Sequence, residues 1–99
     1  MSIEIENWWK QAKADLNTAE NLLNSKDYYA CVFFCQQAVE KGLKALYLQD
    51  FQKLSPKIHD LVELCRLVQS PKEITVDASM ISPAYIFSRY PDAGTEIPS

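Results

Sequence analysis

Between Tyr28 and Leu48 the chain reads YYACVFFCQQAVEKGLKALYL, and its apolar side chains recur every three or four positions. One stripe takes in Cys31, Phe34, Cys35, Ala38, Gly42 and Ala45, and a second takes in Tyr28, Val32, Val39, Leu43, Leu46 and Tyr47. Gln36, Gln37, Glu40, Lys41 and Lys44 lie between the stripes. A helix with two apolar stripes is covered on more than one side, so this segment is predicted to be the central helix of a bundle. It should run from Tyr28 to Gln49 or Phe51. Gly42 weakens it by about 1 kcal/mol relative to alanine, which points to a close helix crossing at that position.

The same periodicity predicts a first helix over Ile3 to Asn24, with Trp8, Ala12, Leu16, Ala19 and Leu23 facing inward. Glu4 and Glu6 fall in its first turn, where the helix dipole favours negative charge, and Glu6 is one turn from Lys10. The polar break Asn24-Ser25-Lys26-Asp27 is short, so the first two helices are antiparallel neighbours, with Ser25 or Asp27 as cap of the second. A third helix is expected over Ile58 to Val68, with Ile58, Leu61, Val62, Cys65 and Val68 inward, ending at Gln69-Ser70-Pro71. Ile74, Ala78 and Ile81 suit a short helix better than a lone strand, which would have no partner. Ser82-Pro83 is a helix start signal for one or two turns over Ala84 to Arg89, and Asp92 to Ser99 have no periodicity. The expected architecture is an all-α, antiparallel up-and-down bundle of about four helices, two long and two short. Residues 1–92 make one domain and 93–99 a loose tail.

Composition narrows the function classes. The 99 residues are 47% hydrophobic and 11% aromatic with only two glycines, which excludes disorder and disfavours a turn-rich β fold. A net charge of −3 is unlike the broad basic surface of a general nucleic-acid binder, although Lys41, Lys44, Lys53 and Lys57 gather near the end of the second helix. The plain reading of those lysines is a solvated face. Cys31, Cys35 and Cys65 have no disulfide-framework spacing and read as buried, reduced thiols, which suits the cytoplasm. One histidine and these thiols do not make a zinc site, and no metal or cofactor is expected. No segment has the length and apolar character of a signal peptide or membrane span, so no membrane association is expected.

Four strings carry a resemblance. They are Ala12-x-x-Asp15-Leu16-x-x-Ala19-x-x-Leu22-Leu23, the run Tyr28 to Ala45, His59-Asp60-Leu61, and Ser88-Arg89-Tyr90-Pro91-Asp92. In combination they resemble the HEPN domain family (higher eukaryotes and prokaryotes nucleotide-binding) over roughly residues 8–92. The resemblance implies a helical bundle, commonly a homodimer, often encoded beside a minimal nucleotidyltransferase with which it can form a toxin–antitoxin system. Many HEPN toxins are metal-independent ribonucleases with an arginine followed a few residues later by histidine. There the arginine would hold a scissile phosphate and the histidine would move a proton. No histidine follows Arg89 in this chain, and the family's usual further helix after Arg-Tyr-Pro-Asp is not predicted either.

The resemblance makes Arg89 the leading site residue, as a contact to a nucleotide or RNA phosphate, against the plain role of a helix-end charge. Lys41, Lys44 and His59 would lie around the same pocket. Against that, Glu40 and Lys44 have the spacing of a surface ion pair, and His59, the single histidine, suits a helix start. The expected function is therefore non-catalytic binding in partnership with a nucleotidyltransferase. The alternatives are a dimerising scaffold without a ligand site, or a ribonuclease using Arg89 with His59 or a tyrosine.

Overall fold

The computed structural model describes residues 2–82, which form four helices and no strand. These are α1 (Ser2–Asn24), α2 (Tyr28–Phe51), α3 (Leu61–Leu67) and α4 (Lys72–Ile81). The all-α bundle is as the periodicity predicts. The turn over Ala84 to Arg89 and the tail 93–99 lie outside the described residues. No helix among the described residues is long and apolar enough to cross a membrane.

Helix α2 is the centre. Its first covered face meets α1 through small side chains: Ala38 and Ala45 on α2, Ala12 and Ala19 on α1, all buried. Its second face carries Leu43 into a cluster with Leu61, Leu64 and Cys65 of α3 and Ala78 of α4. Val39, Leu46, Ile58, Val68 and Ile81 pack around that cluster. Side chains such as Leu61 and Leu64, removed from water almost completely, each contribute roughly 1.5–3 kcal/mol.

The face of α1 turned to α2 differs from the expected one by a single step. Leu16 is 50% and Leu23 55% exposed, so neither belongs to the core. Apart from Thr18, the more sheltered positions are Ile5, Trp8, Ala12, Asp15, Ala19 and Leu22, at alternating spacings of three and four. Asp15 can take an inward position because Lys41 Nζ of α2 meets its Oδ2 at 2.7 Å. Alanines let the helices approach closely, and the two leucines flank the seam instead of filling it. Other expectations also shift. Ile74 is exposed on α4, and Cys31 and Cys35 are half-buried rather than buried.

Gly42 sits opposite an indole and not a helix backbone. A Cβ built there would lie 3.4 Å from Cζ3 and 3.9 Å from Cη2 of Trp9, an ordinary contact distance. The glycine is thus not required by a steric clash with α1.

With so few glycines, the helix ends use other residues in left-handed conformation. Lys26 (φ 65°), Gln52 (φ 56°) and Gln69 (φ 55°) each follow the last turn of a helix. After α1, Asp27 N–H donates to Leu22 C=O (2.8 Å) and Lys26 N–H to Leu23 C=O (3.1 Å), the pair of bonds that defines a Schellman ending. The same pattern closes α3, from Ser70 to Cys65 (3.0 Å) and Gln69 to Arg66 (3.2 Å). Asp27 precedes α2, but its carboxylate makes no bond to that helix and accepts from Ser25 Oγ at 2.7 Å. Helix α3 begins at Leu61, later than Ile58, because the Asp60 carboxylate accepts from Val62 N–H (3.0 Å) and Glu63 N–H (3.4 Å). On its exposed side Arg66 bonds Glu63 and holds that carboxyl below the usual range.

Two stability measurements check this description. Lys26→Gly should raise the free energy of urea unfolding by about 1 kcal/mol, since glycine carries no penalty in the left-handed region. Gly42→Ala should be neutral or stabilising by up to about 1 kcal/mol, through helix propensity without a clash. A clear loss of stability in Gly42→Ala would show that the helices sit closer than described.

Candidate functional site

The polar residues left at the margin of α2 converge on two carboxylates. Glu40 and Lys44 stand one turn apart, and Lys44 Nζ donates to Glu40 Oε2 at 2.9 Å. His59, in the segment between α2 and α3, brings Nδ1 to 3.1 Å from Oε2 and 3.2 Å from Oε1 of the same carboxylate. Lys44 Nζ also lies 5.8 Å from the centroid of the Trp8 ring on α1. A cation facing an indole is attracted by the ring's quadrupole, worth about 0.5–2 kcal/mol depending on desolvation. A turn away, Lys41 is bound to Asp15 of α1. Three segments, α1, α2 and the loop before α3, are joined around these charges.

Burial decides how strongly. The side chains of Glu40 and Lys44 are each 12% exposed, whereas His59 is 77% exposed. Taking one partner from a largely desolvated ion pair leaves the other without compensation, a cost that exposed pairs do not have. His59 is the solvent-facing member. A hydrogen bond from Nδ1 to Glu40 requires a proton on that nitrogen and leaves Nε2 outside the bond.

Of the residues singled out in the sequence, Lys44 and His59 come together on Glu40, and Lys41 is nearby on Asp15. Neither lysine is an unpaired charge on a solvated face. Arg89 and Asp92 lie outside the described residues. The contributions of Trp8 and Asp15 were not legible as site chemistry. Trp8 reads as an ordinary inward hydrophobe, and the one available signal for Asp15 was a carboxylate within an otherwise apolar seam. No group of three or more histidine, cysteine or acidic side chains suited to a metal occurs among the described residues.

A second feature is apolar. An open groove of about 350 Å³ runs between α1 and α2, lined by Trp9, Ala12 and Leu16 on one wall and by Val39, Leu43 and Leu46 on the other. Lys13 stands at its edge. Trp9, Leu16 and Leu23 are all exposed and lie seven residues apart, one stripe along the flank of α1 beside its seam with α2.

A helical bundle with a doubly covered second helix and this charge cluster defines the class of protein. The HEPN domain model matches residues 5–97, most of the chain, and the chain belongs to that family. Comparison with curated proteins and with solved structures finds no match.

The charge cluster makes a direct prediction. Glu40→Gln should destabilise the fold by about 2 kcal/mol, because Lys44 and His59 both lose their carboxylate. The double variant Glu40→Gln with Lys44→Met should recover part of that loss in chemical denaturation. Additive losses would show that the pair does not interact.

Proposed function

We propose that this HEPN-domain chain acts by association, as the non-catalytic binding member of a two-component, toxin–antitoxin-like pair whose other member is a minimal nucleotidyltransferase. The observation that carries the reading is the exposed apolar stripe Trp9–Leu16–Leu23 beside the open groove. Seven-residue spacing on a long helix suits a second helix laid alongside it. Contiguous apolar surface of this kind marks partner sites more often than ligand chemistry. Glu6, Lys10 and Lys13 of α1 line a hollow next to Trp9, so charged groups of both signs border the apolar stripe. A minimal nucleotidyltransferase is proposed as that partner because domains of the resembled family are often encoded beside one.

The paired state of the cations supports the same reading. Lys41 and Lys44 already neutralise Asp15 and Glu40, so a phosphate at either one would have to compete with a carboxylate already in place. A phosphate contact through Arg89, with Lys41, Lys44 and His59 around it, remains the secondary role in this proposal. Self-association into a homodimer is the alternative use of the apolar stripe, and light scattering distinguishes it from a mixed complex.

Co-expression with the candidate nucleotidyltransferase should give a stoichiometric complex, and Leu16→Glu should weaken it at least ten-fold while the circular dichroism stays helical. A complex indifferent to Leu16→Glu would remove the groove from the interface, and no complex at all would remove the partner. For the secondary role, titration calorimetry with ATP should show binding in the wild type that Arg89→Ala abolishes. Equal affinity in both would exclude Arg89 from any nucleotide site.

A further inference from the structure

Cys31 and Cys35 are spaced one turn apart on α2, each half-buried, whereas Cys65 is fully buried in the α3 cluster. Side chains at this spacing lie on one face, with Cβ atoms about 5–6 Å apart. A disulfide needs about 3.5–4.5 Å between Cβ atoms, so closing one here would distort a regular helix. The pair is therefore held as two thiols. A single atom bonded to both sulfurs bridges a wider gap than a direct S–S bond does.

The number of ligands selects that atom. Zinc and related cations require about four ligands, and no third acidic, histidine or cysteine side chain joins the two thiols among the described residues. Trivalent arsenic in an organoarsenical has three bonds, one to carbon and two for sulfur. Its valence is complete with this pair alone.

We propose that Cys31 and Cys35 form a dithiol site that chelates trivalent organoarsenicals. In the reaction both S–H bonds and the arsenic–oxygen double bond break, and two As–S bonds form. The oxygen leaves as water carrying both thiol protons, and neither arsenic nor sulfur changes oxidation state. The product is neutral. Burial raises the Cys35 thiol pKa, and the neighbouring Cys31 raises it further through its charge and hydrogen bonding. That environment disfavours two adjacent thiolates and does not oppose a condensation that starts and ends uncharged. The site is independent of the association reading, since it needs no partner and no phosphate.

The test uses the whole reduced protein and phenylarsine oxide as the probe, followed by intact mass spectrometry under native conditions. One adduct per chain is expected, with a mass equal to the probe less one water. It should survive excess 2-mercaptoethanol and be reversed by 2,3-dimercaptopropanol. Peptide mapping after iodoacetamide should show Cys31 and Cys35 protected together, a readout on the wild type that does not depend on any variant folding. Cys31→Ser and Cys35→Ser should each lose the monothiol-resistant adduct by at least ten-fold, while Cys65→Ala keeps it. No adduct, an adduct that persists in either serine variant, or one that requires Cys65 would overturn the proposal.

Discussion

Helix α2 must bury two faces at once, and the rest of the molecule is arranged around that constraint. One face is made of alanines and a glycine and takes α1 close against it. The other carries Leu43 and its neighbours and takes α3 and α4. The two faces are built differently because they serve different partners. A long helix packed along its length gains from small side chains and close approach, whereas two short helices need large side chains to bury enough area each. Helices α3 and α4 are too short to be stable alone, so their order depends on that leucine cluster.

Polar groups at the margins of a doubly covered helix cannot all reach water. Glu40 and Lys41 stand where α2 turns from one covered face to the other, and each is matched by an opposite charge. The Asp15–Lys41 pair fixes the register of α1 against α2, since sliding either helix by one position would separate the charges. Such pairs contribute less to net stability than to specifying one arrangement, because desolvation offsets most of the attraction. The His59 contact extends the same network to the segment that leads into α3. In the fold Lys41 is paired with Asp15, and Lys44 and His59 with Glu40, so these side chains also act as internal clasps.

The flank of α1 beside its seam with α2 has the opposite character. Leu16 and Leu23 are left in water by the alternating pattern that places Asp15 and Leu22 inward. Leaving large apolar side chains exposed costs nothing in folding when they were equally exposed in the unfolded chain. It becomes favourable once another surface covers them, which is why an exposed, regularly spaced stripe carries information about association.

Much of this was legible in the sequence. The period of the apolar positions determined the existence and approximate limits of α1 and α2, because a helix must present one side chain every three to four residues to each face it buries. The Glu40–Lys44 pair was legible for the same local reason, since residues four apart in a helix are neighbours whatever the rest of the chain does. The start of α3 was missed by three positions because Asp60, rather than the apolar pattern, sets it. Tertiary structure alone decided which leucine of α1 is the more sheltered. A pattern holding Leu16 and Leu23 is as regular as one holding Asp15 and Leu22, and the second is the one in which Asp15 meets Lys41, far away in sequence. It alone joined His59 to Glu40 as well, and it left Cys31 and Cys35 half open. Local periodicity fixes what each segment is, but the partner of each face depends on contacts that no single segment contains.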